Sequence, residues 1–166
     1  MDYLHSDLTK EIIGAFYDVY NTLGFGFLEK AYENALAIEL RSQGFQVEQQ
    51  KPICVYYRDQ VIGEYFADLI VNNLVIVELK ANRSIIPAHE AQLLNYLKAT
   101  KYEVGLLLNF GHTPKHKRKA WSNHNKPYLP ENKQNADRPD IPDKQDRKNQ
   151  ANQVNQRPIK IGENHD

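Results

Sequence analysis

Apolar positions recur with two periods along this chain, and the change of period marks its elements. Ile12, Ile13, Phe16, Val19, Tyr20 and Leu23 fall at helical spacing and form one apolar face. Ser6 or Asp7 stands where an N-terminal cap belongs, and Gly24-Phe25-Gly26 ends the segment, with Gly24 as a left-handed C-terminal cap. A second helix is predicted over Phe27 to Ser42. Its buried stripe is Leu28, Ala31, Tyr32, Ala35, Leu36 and Leu40, and Gly44 closes it. Glu29 precedes Tyr32 by three residues, which places its carboxylate at the border of that stripe.

From Phe45 the period shortens to two. Phe45 to Gln49 and Ile53 to Tyr57 read as strands, Arg58-Asp59-Gln60 as a turn, and Val61 to Val71 as the returning strand. Asn72-Asn73 turns the chain again. Leu74 to Lys80 is the most apolar strand and is expected at the centre of a sheet. Pro87 stands where a helix begins, and His89 to Ala99 continues it with Leu93, Leu94 and Leu97 inward. Tyr102 to Asn109 is a last buried strand. A helical crossover precedes it, so it is expected parallel to a strand already laid down. His112 to Trp121 is expected as a short basic helix, and Ser122 to Asp166 as a disordered polar tail. The predicted division is therefore a folded domain over 1–121 and a tail over 122–166. No internal repeat is present.

Charge sharpens that division. The formal net charge of the chain is zero. Through Gly111 there are nine Lys/Arg against fourteen Asp/Glu, a net of −5; from His112 onward twelve stand against seven, a net of +5. An acidic body with a basic tail admits a polyanion partner, and it equally admits a tail that only solubilises. The single cysteine, Cys54, excludes an internal disulfide and a cysteine-rich zinc site, and reads as a small core residue. MDYLHSDLTK lacks the basic and apolar regions of a signal peptide, and no apolar run is long enough to span a bilayer. A reducing, cytoplasmic setting without membrane contact is the expectation.

The informative stretch is Tyr65 to Ala81, YFADLIVNNLVIVELKA. Asp68 interrupts its first apolar strand, and Glu78 and Lys80 interrupt the second. Charges are seldom buried without partners. Glu78 and Lys80 are two apart and share a strand face. The cluster admits two readings, a divalent-metal and phosphate site or a structural ion pair. Register bears on the choice. A two-residue loop at Asn72-Asn73 would place Asp68 opposite Val77 and send Glu78 to the other face. A three-residue loop, Asn72-Asn73-Leu74, pairs Val71 with Val75 and places Asp68 opposite Glu78. Local turn statistics favour the two-residue loop, whereas the metal reading requires the second register, or a bulge between Asp68 and the turn that restores it, helped by the tolerance of Asn73 for left-handed backbone.

The order helix, helix, antiparallel strands, helix, strand, with Asp68 and Glu78-Leu79-Lys80 in place, resembles the PD-(D/E)XK nuclease superfamily. It is closer still to a small bacterial branch named for a GxxExxY motif, read here as Gly26-Phe27-Leu28-Glu29-Lys30-Ala31-Tyr32. The resemblance spans roughly Leu8 to Gly111 and includes Gln92 to Leu97 and Leu108-Asn109-Phe110-Gly111. It implies an α/β fold of the restriction-endonuclease-like kind, a mixed β-sheet core flanked by helices. It implies Asp68, Glu78 and Glu29 as metal-binding carboxylates for Mg²⁺ or Mn²⁺. Lys80 is implied as the residue that positions the attacking water and stabilises charge at phosphorus. Gln92 and Tyr96 resemble the Q-x-x-x-Y helix of exonuclease-like members, on the substrate side with Tyr32. Elementary chemistry agrees on the general need. Phosphodiester cleavage uses a hard cation on oxygen ligands and a cation beside the developing charge.

Other candidates carry less. His112 and His116 are four apart, a metal-compatible spacing, but they sit in a basic run and read as surface residues. His89 reads either as a substrate contact or as an exposed helix start. Two functions lead, a divalent-metal-dependent nuclease acting on nucleic acid, DNA before RNA, or a nucleic-acid-binding accessory module on the same fold; a small-molecule phosphodiesterase is a third, blander reading. The acidic body makes a protein partner or a second copy of the chain a further expectation.

Overall fold

A computed structural model of the chain describes residues 3–126, Asp59 excepted. Two helices come first, α1 (Ser6–Leu23) and α2 (Glu29–Ser42). The strands β1 (Val47–Tyr57), β2 (Gln60–Val71) and β3 (Val75–Lys80) follow, then α3 (Pro87–Ala99), β4 (Val104–Asn109) and β5 (Lys115–Ala120). The five strands form one sheet in the order β1-β2-β3-β4-β5. Only β3 and β4 run parallel, and the α3 crossover between them makes that direction possible. The other neighbours are antiparallel. The architecture is a mixed sheet flanked by helices, as the sequence pattern predicts.

The sheet separates two apolar layers. Ile12, Phe16 and Val19 of α1 and Tyr32, Leu36 and Leu40 of α2 pack on Val75, Val77 and Leu79 of β3 and on Leu106 and Leu108 of β4. On the other face Leu93, Tyr96 and Leu97 of α3 pack on Ile70, Ile76 and Leu107. Alternation along β3 therefore sends Glu78 and Lys80 to the α3 side, with Ile76.

Several expectations are corrected. His112 to Trp121 is not a helix. Lys115–Ala120 is an edge strand, paired along its length from Asn109–Lys115 to Val104–Ala120. Its charges alternate between faces, and β4 supplies the ladder that a basic run lacks on its own. Ser122–Lys126 does not belong to a tail, because Asn123–Asn125 forms a 3₁₀ turn and Lys126 is buried. Lys126 Nζ donates to Thr100 O and Tyr102 O at 2.7 Å each, and burial pushes its ammonium down to about 8. The remainder of that expectation, from 127 on, lies outside the described residues. The two strands expected over Phe45 to Gln49 and Ile53 to Tyr57 are one, β1, which starts only at Val47 and runs through Gln50 in left-handed conformation (φ 54°). The first helix is preceded by left-handed His5 rather than capped by Ser6 or Asp7. Leu28 is 83% exposed, because α2 opens only at Glu29 and leaves Leu28 off the buried stripe.

The β2–β3 turn has the even register. Val71 pairs with Val75, Ile70 with Ile76, and Leu69 with Val77. Asn72 (φ 51°) and Asn73 (φ 54°) are both left-handed, and Leu74 N donates to Val71 O at 3.0 Å. Two asparagines supply the positive φ that β-branched neighbours resist.

Candidate functional site

The site lies at the C-terminal end of β3, where β2 and β3 part. Beyond the Leu69–Val77 rung, the Asp68 side chain replaces a backbone rung: Asp68 Oδ2 accepts the Leu79 N–H at 2.8 Å. Glu78 faces Asp68 there, is 2% exposed, and leaves Oε2 without a hydrogen-bond partner. Burial, and then the neighbouring Asp68 charge, push the Glu78 carboxyl up to about 9, and a hydrogen bond to Asp68 adds to the rise. Burial raises Asp68 as well, against the lowering effect of the Leu79 N–H. The two carboxyls therefore share a proton near neutral pH, since like charges this close resist joint ionisation. Lys80 is half-buried and close enough to lower both carboxyls. No ion pair within 4 Å among the described residues joins Lys80 to either of them. A simple structural salt bridge is thus not what this cluster makes.

Glu29 opens α2 and reaches across to the end of β3, where its Oε2 accepts the Ala81 N–H at 3.1 Å. It contributes, as the smallest influence, to the rise of Glu78. The GxxExxY spacing has a local explanation. Gly26 adopts φ 110°, a conformation that favours glycine. Tyr32 OH donates to Gly24 O at 2.7 Å and accepts from Phe27 N at 3.3 Å. Its ring stacks on Phe110, with centroids 4.2 Å apart. Tyr32 is fully buried with its hydroxyl committed to the loop. In this arrangement it staples the loop that delivers Glu29.

The α3 side brings Tyr96 and Gln92. Gln92 Nε2 donates to Tyr96 OH at 2.9 Å. Burial raises the Tyr96 phenol, the Gln92 hydrogen bond works against that rise, and the charges of Glu78 and Asp68 add to it. His89, half-buried on the first turn of α3, is lowered by burial and then by Lys80. The end of β3 is sewn to β4. Phe110 N donates to Lys80 O at 2.7 Å, Asn82 N donates to Asn109 Oδ1 at 3.0 Å, and Asn109 Nδ2 donates to Asn82 O at 2.9 Å.

Two residues were not singled out from the sequence. Glu33, 3% exposed on α2, accepts from Lys30 Nζ at 2.6 Å, from Gln49 Nε2 at 3.0 Å and from Gln50 Nε2 at 2.7 Å. Gln50 Nε2 also donates to Asp68 Oδ1 at 3.3 Å. The spacing of Glu33 from Glu29, one helical turn, is a readable signal for Glu33. Nothing local marks Gln50.

Among the described residues no group of three or more His, Cys, Asp or Glu is gathered at metal-ligand spacing. The donor chemistry nonetheless fits a hard divalent cation. Asp68 and Glu78 are paired carboxylates, the Glu78 oxygen is unpartnered, and water and phosphate oxygens complete such sites. No helix among the described residues is long and apolar enough to cross a membrane.

Among curated proteins none matches the chain. A solved structure titled "Crystal structure of SSO0001" is similar at a TM-score of 0.43 and 20% identity, over 70% of this chain and 60% of that one. The chain thus spans about three fifths of that structure's length. A family model described as PD-(D/E)XK nuclease superfamily matches residues 6–121, from the first residue of α1 to the residue after β5. That match takes in the β2–β3 hairpin with its Asp68, Glu78 and Lys80 and both helical layers around it, and the chain belongs to the PD-(D/E)XK nuclease superfamily.

Proposed function

We propose that this chain is a divalent-metal-dependent nuclease of the GxxExxY branch, hydrolysing phosphodiester bonds of nucleic acid, DNA before RNA, in the cytoplasm. One observation carries the reading. Glu78 is a buried carboxyl with an unpartnered oxygen, set against a second carboxyl at the end of a central strand. Such a group destabilises the fold unless something binds it, and perturbed carboxyls of this kind gather at functional sites.

Asp68 and Glu78 would hold Mg²⁺ or Mn²⁺, with Glu29 as a third carboxylate at the rim. A bound divalent cation neutralises phosphate charge and lowers the pKa of bound water. Lys80, on the same strand face as Glu78, orients the attacking water and stabilises negative charge developing at phosphorus. Leu79 N–H and Ala81 N–H fix the Asp68 and Glu29 carboxylates from the backbone. Tyr96, oriented by Gln92, lines the α3 side and takes the substrate strand.

A second reading is an accessory module without catalysis, and the charge distribution favours it. The chain through Gly111 is net −5. On β5, Glu90 occupies Lys117 and Lys119, and Arg118 donates to Leu4 O at 2.6 Å. A protein partner or a second copy would then supply the phosphate contacts. The two readings part on a cleavage panel of single- and double-stranded DNA and RNA with Mg²⁺ or Mn²⁺. The nuclease reading expects metal-dependent cleavage by wild type and a loss of at least about a hundredfold in Lys80→Ala, the scale of one lost charge-stabilising group. Cleavage indifferent to chelator, or equal in Lys80→Ala, overturns it.

A further inference from the structure

The outlier nearest the site is Gln50. It stands inside β1 with φ 54°, a left-handed conformation that a non-glycine residue holds in a strand only when its surroundings impose it. The flanking rungs Gln49–Leu69 and Lys51–Ala67 place it directly opposite Asp68. Its side-chain nitrogen donates to two carboxylates, Glu33 Oε2 at 2.7 Å and Asp68 Oδ1 at 3.3 Å. Glu33 is itself anchored by Lys30 and Gln49. The other Asp68 oxygen is held by Leu79 N–H.

We infer that Gln50 is a positioning residue for the metal carboxylates, its amide tying Asp68 to the anchored Glu33 so that Asp68 is aimed at Glu78 before any cation binds. This rests on the nuclease reading proposed above. The chemistry suits an amide in particular. One NH₂ group bridges two anions that would otherwise repel, and it leaves the remaining lone pairs of Asp68 for a cation. A lysine there would neutralise the site, and a glutamate would add a third repelling charge. Groups that orient metal ligands in this way govern affinity without touching the metal.

The test is calorimetric titration of the full chain with Mn²⁺ alone, beside thermal unfolding. Gln50→Ala removes the amide and keeps the strained backbone; Gln50→Gly removes both. Both variants are expected to lose Mn²⁺ affinity about tenfold, while Gln50→Gly melts several degrees above Gln50→Ala because its φ is relieved. Glu33→Gln is expected to lower affinity in the wild-type background and to add nothing in Gln50→Gly, as coupled positions do. Wild-type binding left unchanged in both Gln50 variants overturns the role of Gln50 alone. Additive losses overturn the tie through Glu33. A wild type that binds no Mn²⁺ overturns the nuclease reading, and this inference with it.

Discussion

Asp68 Oδ2 accepts the Leu79 N–H at 2.8 Å, so a side chain takes the place of a backbone rung where β2 and β3 separate. The carboxylate therefore has a folding role besides any metal role. Asp68→Ala leaves a buried N–H unpaired and is expected to cost about 1–3 kcal/mol of stability. Asp68→Asn retains an acceptor for that N–H but turns an amino group toward Gln50 Nε2, so its loss is expected smaller than that of Asp68→Ala without vanishing. Urea unfolding of both variants checks the difference. Mn²⁺ affinity should fall in both, because each removes the charge.

Tyr32 separates loop support from chemistry. Its hydroxyl bonds Gly24 O and Phe27 N while its ring stacks on Phe110. Tyr32→Phe keeps the stack and forfeits two hydrogen bonds, an expected loss of about 1–2 kcal/mol. Equilibrium unfolding measures that loss. Mn²⁺ affinity should change far less than in Glu78→Gln; a drop of equal size would return Tyr32 to the site.

Gly111 tests how the loop after β3 is held. A Cβ there would collide with Asn82 O, and that carbonyl is backbone already bound by Asn109. Neither partner can move without breaking the seam that fixes Lys80. Gly111→Ala is expected to destabilise by about 1–3 kcal/mol, the scale of forced overpacking. A melting temperature equal to wild type would show the seam to be looser than its hydrogen bonds imply.

The elements that sequence periodicity named correctly are those with an internal cause. The α1 stripe, the apolar β3 strand and Pro87 at the start of α3 each carry their own signal. The Asn72-Asn73-Leu74 register was legible only through the condition that Asp68 and Glu78 share a face, since the turn residues by themselves favour a two-residue loop. The misread segment, Lys115–Ala120, owes its conformation to β4 beside it, and propensity inside a basic run carries no record of a neighbour. Gln50 was illegible for a related reason. Its conformation and its two carboxylate partners come from Glu33 and Asp68, seventeen and eighteen residues away. The burial of Tyr32 was half-visible, as a position on the α2 stripe, but the loop its hydroxyl holds was not.

Charge on β5 yields a fourth expectation. Glu90 accepts from both Lys117 and Lys119. That carboxylate offsets the cations that would meet phosphate. Glu90→Gln is expected to strengthen binding of a DNA oligonucleotide at low salt by about two- to fivefold and to steepen the salt dependence. Fluorescence anisotropy over a salt series reads both quantities. Unchanged affinity and slope would place the nucleic-acid path away from this edge.

The Glu78 carboxyl makes the fold itself pH-sensitive. Its pKa stands at about 9 in the folded chain against an ordinary 4.5. Between those values the folded state keeps a proton that the unfolded chain has released. Stability from this group is therefore complete below about pH 4.5 and declines as pH rises toward 9. Glu78→Gln cannot lose that proton. In chelator the variant should match wild type near pH 5 and melt progressively higher than wild type toward pH 9. A cation at Asp68 and Glu78 competes with the same proton, so Mn²⁺ should bind wild type more tightly as pH rises and should release about one proton on binding. Calorimetry in two buffers of different ionisation enthalpy counts that proton. Glu78→Gln should lose both the affinity and the proton release. Parallel melting curves for wild type and Glu78→Gln across this range would mean that Glu78 is already ionised in the fold, and the shared-proton description of the carboxyl pair would be wrong.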